Sequence, residues 1–438
     1  MTLGLLICLN VWGGQLETSS PFPVTSFRLE NGLEVILSED DTLPIATLAV
    51  AYRAGSLHER PGKSGLAYLL ENLMFEGSRN VGRMQHISFI QRIGGRLTAL
   101  RERDKTIFYQ TIPSHHLATA LWLESDRMMA LTLSSEDIAR AKSALIGEIK
   151  NRRLRNPFME GQRYFDALLF PDLAYGLPER GLEEDLKAIS ERDVREFYET
   201  YYRPNNAVLC IVGNIKQTQA RELVQKYFGS VPPGKSLPPA AGSSQETDRD
   251  FGVSGVTDSL ESPLSTSPAF FLGFRIPGPR SNDFYPLRII EYILMKGNSS
   301  RLINRLLKKE SLATRLSGGI DVRGDQAAFR IFVVSSNELK AERCQNEILS
   351  EINKLKTTRI ADQELQKAKN LLRMDSVSRY ATSVEKAKFL IRSHLAGIAW
   401  EDLSAEQERY LVVTPTRILL TMNKYFNEDR ILIHVKTR

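Results

Sequence analysis

From residue 27 the chain alternates apolar and polar positions, Phe27-Arg-Leu-Glu-Asn-Gly-Leu-Glu-Val-Ile-Leu37. A period of two predicts strand, and Asn31-Gly32 at the centre predicts a β-hairpin. Residues 45–53 and 106–111 predict further strands, and the apolar run 207–212, closed by Gly213, predicts a buried one. Elsewhere the period is helical. Within 64–75, Leu66, Leu69, Leu70, Leu73 and Met74 recur three and four apart, which predicts a helix with one buried face. Longer helical patterns cover 115–129, 135–155 and 190–202.

Residues 231–268 break this rhythm with two Pro-Pro pairs, then Gly, Ser and Asp with few large apolar side chains. That composition predicts a linker, placed at 233–268. Beyond it the first half recurs. Ala51-Tyr-Arg-Ala-Gly resembles Gly273-Phe-Arg-Ile-Pro, Arg96-Leu-Thr resembles Arg315-Leu-Ser, and Asp137-Ile-Ala-Arg-Ala-Lys resembles Glu364-Leu-Gln-Lys-Ala-Lys, in one order and at similar offsets. Two homologous α+β halves are expected, at 21–232 and 269–438.

Composition narrows the function classes. The chain has 438 residues, 42% hydrophobic and 25% charged, too long for one core and ordinary for a globular protein. Its net charge of +6 is spread among interspersed acids and bases, with no basic run interleaved with aromatics, so nucleic-acid binding has little support. Three cysteines make no disulfide framework; Cys210 and Cys344 read as buried or idle thiols, and Cys8 lies in an amino-terminal apolar stretch. That stretch, residues 3–13, suits a signal-segment core and is too short to span a bilayer. It lacks a basic flank, so either the start lies upstream or it is no signal. Residues 1–20 are read as a candidate signal segment, giving an exported, periplasmic or extracellular protein, with a cytoplasmic one as the alternative.

The chemistry lies on the helix at 64–75. Tyr68, Glu71 and Asn72 occupy positions i, i+3 and i+4, the frame of the inverted zinc motif H-x-x-E-H. In that motif the two histidines hold zinc and the glutamate is the general base. Here the glutamate stands and both histidines are replaced.

Several stretches carry a resemblance over nearly the whole chain from Phe27. They are Ala54-Gly-Ser-Leu-His-Glu-Arg-Pro-Gly-Lys-Ser-Gly-Leu-Ala-Tyr-Leu-Leu-Glu-Asn-Leu-Met-Phe-Glu-Gly-Ser, Gly94-Gly95, Glu183-Glu-Asp-Leu-Lys-Ala-Ile, Tyr201-Tyr-Arg-Pro-Asn-Asn-Ala-Val-Leu and Gly297-Asn-Ser-Ser-Arg-Leu. The chain resembles the insulinase/pitrilysin family of inverted-motif zinc peptidases, which includes processing-peptidase subunits. The resemblance implies two lobes, each a mainly antiparallel sheet with helices packed on one side. It also implies that Tyr68 and Asn72 stand at the histidine positions, Glu71 at the general-base position, and Glu148 at the downstream ligand position.

Phenol binds metal well only when ionised, against a free pKa of about 10. A carboxamide is a weak, hard ligand suited to calcium rather than zinc. A catalytic zinc site needs three good protein ligands, so this chain is expected to hold no zinc. Tyr68 is expected to fill the vacated space, with Asn72 hydrogen-bonding its hydroxyl. Glu71 and Glu148 are either bonded to nearby donors or face solvent. His58 and the pair His115-His116 lack ligand spacing to a carboxylate cluster and read as surface or loop histidines.

Family members also carry an arginine and a tyrosine that grip the substrate backbone. Those positions fall at Leu307 and Thr314, leaving Arg301, Arg305 and Arg315 as weaker substrate-binding candidates. The expected function is a catalytically inactive subunit, without cofactor, that partners a zinc-bearing homologue and helps enclose polypeptide substrates. Two alternatives stand: a zinc metalloendopeptidase with an atypical site, using Glu71 and Glu148, and a structural core-type subunit of a larger assembly.

Overall fold

The computed structural model describes residues 22–171, 173–237, 255–400 and 405–437. The candidate signal segment and Cys8 lie outside them. Six strands form the first sheet: β1 (Thr25–Arg28), β2 (Glu34–Glu39), β3 (Ile45–Tyr52), β4 (Arg96–Arg101), β5 (Thr106–Pro113) and β6 (Ala207–Gly213). Their order is β1-β2-β6-β3-β5-β4. The hairpin around Asn31-Gly32 joins β1 to β2, with Phe27 opposite Val35 and Gly32 at a φ of 90°. The second sheet holds β7 (Val256–Ser262), β8 (Ala269–Pro277), β9 (Ala313–Arg323), β10 (Gln326–Ser335) and β11 (Ile431–Thr437), ordered β7-β11-β8-β10-β9.

Setting β1 aside, the two sheets have one topology. β2 runs parallel to β6 as β7 does to β11, and every other pair is antiparallel. The recurring stretches occupy equivalent places: Ala51 and Gly273 on β3 and β8, Arg96 and Arg315 on β4 and β9. Asp137 and Glu364 lie in the first turns of the helices Ser135–Arg155 and Asp362–Ser378. The fold is α+β with two homologous lobes. The segment whose composition predicts a linker carries β7; its low content of large apolar residues reflects a sheet-edge strand held mainly by backbone bonds to β11.

Along β3 successive side chains face opposite sides, and both sides are buried. Leu48 and Val50 join the first lobe's core with the helices Leu66–Leu73, Leu117–Met129 and Glu191–Tyr201. Ala49 and Ala51 face the other way and meet Ala387, Leu390 and Ile391 of the helix Ser383–Leu395, which belongs to the second half of the chain. The second sheet is treated reciprocally. Its far face, with Phe271, Ala328 and Ile433, is covered by Phe165 and Leu169 of the helix Met159–Leu169 from the first half. Each sheet therefore carries its own helices on one face and a helix lent by the other lobe on the second face. Burying one such phenylalanine contributes about 2–3 kcal/mol, so the exchange joins the lobes firmly.

Small residues allow the exchange. A Cβ on Gly273 would lie 2.6 Å from the Phe165 ring, and one on Gly161 would lie 2.6 Å from Val435. Side-chain bonds fasten the helix Ser383–Leu395: His394 bonds Glu34, and the Arg392 guanidinium meets Glu102. Cys210 and Cys344 are buried free thiols.

Candidate functional site

The helix Leu66–Leu73 buries Leu66, Leu69, Leu70 and Leu73, which fixes the direction in which Tyr68, Glu71 and Asn72 project. Its first turn has no side-chain cap of its own. Glu59 supplies one from the preceding loop, accepting the backbone N–H of Gly65 at 3.0 Å and Ala67 at 2.8 Å. Burial pushes the Glu59 carboxyl up to about 7, against the pull of those two donors.

The loop before Leu182 lies across the start of this helix. Gly65 and Gly181 both take positive φ, 91° and 78°, and a Cβ on Gly181 would lie 2.3 Å from the Ser64 carbonyl oxygen. This backbone contact carries Arg180 over Tyr68. Ser64 fastens it further, accepting the Leu182 N–H at 3.0 Å.

Three charged side chains close on the phenol, and a fourth, Glu71, joins them through Arg101. Tyr68 donates to Glu148 Oε2 at 2.6 Å and accepts from Arg180 Nη1 at 2.6 Å, while Arg180 also bonds the other oxygen of Glu148. Arg101, the last residue of β4, donates from Nη1 to Glu71 Oε2 at 2.6 Å. Its guanidinium carbon lies 3.8 Å from the centre of the Tyr68 ring. Burial, with donation to Glu148, pushes the phenol up to about 12. Burial also raises the Glu71 carboxyl, with Arg101 opposing it.

The residues at the sequence-derived metal positions thus come together, and both glutamates are bonded to donors, Glu71 largely buried and Glu148 still partly open to water. Asn72 departs from expectation. Its Nδ2 donates to the Tyr68 backbone carbonyl at 2.8 Å, one turn back, instead of reaching the hydroxyl. On a helix that carbonyl is the nearer acceptor, and the hydroxyl is already engaged by Arg180 and Glu148. Arg101 and Arg180 were not foreseen. Only the need to neutralise two carboxylates without a metal could have signalled them.

These residues do not fit zinc. A dication would face two guanidiniums that stay charged at any ordinary pH, beside a phenol that is protonated at neutral pH. Two arginines against two glutamates already make the cluster neutral, with the same positive charge that one zinc ion would bring. Among the described residues no group of three His, Cys, Asp or Glu side chains could hold a metal ion. His58 accepts the Gly55 N–H, and His115 and His116 pack ring to ring at the start of the helix Leu117–Met129.

The weaker substrate candidates separate. Arg301 forks onto Glu364 at 2.7 and 2.8 Å, and Arg305 pairs with Glu347 at 2.5 Å and Glu310 at 3.0 Å. Both are held within the second lobe. Arg315 instead lines a cavity of about 420 Å³ between the lobes. Leu307 packs against the second core, and the Thr314 hydroxyl donates to the Val334 carbonyl at 3.1 Å. A larger cavity of about 810 Å³ adjoins Arg101 and Arg180, walled by residues of both lobes.

Comparison with known proteins places this architecture. Residues 34–167 match the family model described as Insulinase (Peptidase family M16), and residues 188–372 match that of the Peptidase M16 inactive domain. The zinc protease PqqE of Helicobacter pylori is 25% identical over 434 residues, covering 97% of this chain and 95% of its own. The mitochondrial-processing peptidase subunit beta of Saccharomyces cerevisiae is 24% identical, covering 81% of this chain and 78% of its own. The crystal structure of a protease from Helicobacter pylori superposes with a TM-score of 0.88 at 24% identity, covering 95% of this chain and all of that one.

Proposed function

We propose that this chain, which belongs to the insulinase family of peptidases (M16), is a subunit that has given up metal chemistry and works beside a zinc-bearing homologue. One observation carries the reading: Arg180 bonds Tyr68 and Glu148, at two of the family's ligand positions, and Arg101 bonds Glu71 at the general-base position. Glu71, the family's general base, is bound to Arg101 and has no metal-activated water to deprotonate. The chain's contribution is then shape. It helps enclose a polypeptide between two lobed subunits while peptide bonds are cut on its partner. A relative named as a subunit, the mitochondrial-processing peptidase subunit beta, supports a multi-subunit arrangement. No helix among the described residues is long and apolar enough to cross a membrane. Export, resting on residues 1–20, is part of the proposal and is checked by fractionating cells that express the full chain.

Affinity purification of the tagged full chain, followed by metal analysis and identification of what comes with it, tests the reading. The expected result is less than about one-tenth of an equivalent of zinc on the isolated chain, with a family member carrying intact H-x-x-E-H co-purifying and hydrolysing peptides. Stoichiometric zinc on the isolated chain, or peptide hydrolysis by it alone, would overturn the proposal. Recovery with membrane-embedded subunits instead would make it a core-type component of a larger assembly.

A further inference from the structure

The two cavities between the lobes share Gln162, Asp321 and Arg330 in their walls, so they are parts of one cleft. The cleft runs from Arg101 and Arg180 at the filled motif to Arg315 on β9. Twelve lysines and arginines line it against seven aspartates and glutamates.

Much of that charge is spent internally. Asp166 and Asp321 clamp Arg323 and Arg330 at the floor, and Glu179 lies 3.6 Å from Arg103. The surplus sits on the rim, where the exposed Glu184 offsets one cation. Glu160 serves two cations, Arg153 at 3.3 Å and Arg163 at 3.0 Å. Glu183 likewise serves Lys150 at 3.3 Å and Lys187 at 2.6 Å. Arg152 and Arg315 are exposed and have no carboxylate partner among the described residues. Three of these cations, Lys150, Arg152 and Arg153, lie in the last turns of the helix that also carries Glu148.

We infer that the cleft binds acidic segments of polypeptide, drawn in by the rim cations and reaching toward Arg315. This rests on the polypeptide-binding reading above and adds a substrate class to it. A cleft lined by one excess sign focuses the field and selects opposite charge. Single-stranded nucleic acid would need free aromatic faces for base stacking. The rings in the walls are engaged with one another instead: Phe271 stacks on Phe165 at 5.4 Å and on Phe332 at 4.5 Å.

The test uses the full chain and three dye-labelled peptides of equal length, built of Glu/Ser, Gln/Ser and Lys/Ser, with an oligothymidylate as a fourth probe, read by fluorescence anisotropy. The acidic peptide is expected to bind about 10-fold more tightly than the neutral one, with affinity falling as salt rises. Arg152→Glu with Arg315→Glu should remove that advantage, while Arg92→Glu, outside the cleft, should leave it; melting curves establish that each variant is folded. Equal binding of all three peptides overturns the charge preference and leaves polypeptide binding standing. No peptide binding at all removes both. Preference for the basic peptide or the oligonucleotide, or acidic binding untouched by the double reversal, overturns the inference.

Discussion

Arg180 Nη1 lies 2.6 Å from the Tyr68 hydroxyl and bonds Glu148 as well, so one guanidinium ties a histidine position of the metal frame to its distal ligand position. The phenol and the arginine act together. Glu148 accepts from both, so a dication placed beside it would meet the Arg180 guanidinium.

Restoring the histidines alone should therefore fail. Tyr68→His with Asn72→His rebuilds the ligand set around Glu148, yet leaves two guanidiniums within reach of the metal position. Adding Arg180→Ala and Arg101→Ala should strengthen zinc binding by at least about 10-fold, the size of effect that neighbouring groups exert on metal sites. Titration calorimetry with zinc reads the difference. Equal, tight zinc binding by the two-residue and four-residue variants would show that the arginines do not exclude the metal.

The two arginines should differ in their worth to stability. Arg101 and Glu71 are both largely buried, with side chains 9% and 16% exposed, whereas Arg180 and Glu148 are 33% and 38% exposed. Arg101→Ala strands a buried carboxylate and should cost about 3 kcal/mol. Arg180→Ala leaves Glu148 open to water and should cost about 1 kcal/mol or less. Urea unfolding measures both. Glu71→Gln in the Arg101→Ala background should recover part of the loss; equal costs for the two arginines, without such recovery, would contradict the buried pairing.

The residues explain why only part of this was legible in the sequence. The helix carrying Tyr68 follows from Leu66, Leu69, Leu70 and Leu73, because a buried helical face is a local pattern. The duplicated topology shows in short recurrences because equivalent strands meet similar neighbours, as Ala51 and Gly273 do on the faces crossed by the exchanged helices. Arg180 acts from 112 residues away, through a loop whose placement depends on the Gly65–Gly181 contact. No spacing rule reports such a contact. The exchange of helices is silent for a related reason: Phe165 and Leu169 give the same amphipathic pattern whichever sheet they cover.

Glu59 should make stability depend on pH. Its carboxyl titrates near 7 in the folded chain, above the usual glutamate value of 4.5. Between those values the folded state holds a proton that the unfolded chain has lost. Stability from this group is therefore full below about pH 4.5 and declines as pH rises through 7, by roughly 2–3 kcal/mol in all. Glu59→Gln cannot titrate, so its stability relative to the wild type should rise over that window. Unfolding midpoints of both proteins at intervals from pH 4.5 to 8 measure this, and a constant difference would assign the titration elsewhere.

Gly273→Ala tests the exchange of helices between the lobes. The new methyl would lie 2.6 Å from the Phe165 ring and 3.0 Å from a Leu169 methyl, inside the contact distance of any carbon pair. Phe165 is fully buried and stacked on Phe271, so it has little room to retreat. The helix Met159–Leu169 must then lift from the second sheet, at about 1–3 kcal/mol for overpacking. Because that helix reaches across from the first lobe, the damage should appear as faster hydrogen exchange in 159–170 and on β8 and β11. The first lobe's own core, built around Leu48 and Val50, should keep its protection. Uniform loss of protection across both lobes would mean that they unfold as one unit, with the crossing helix holding no separate boundary between them.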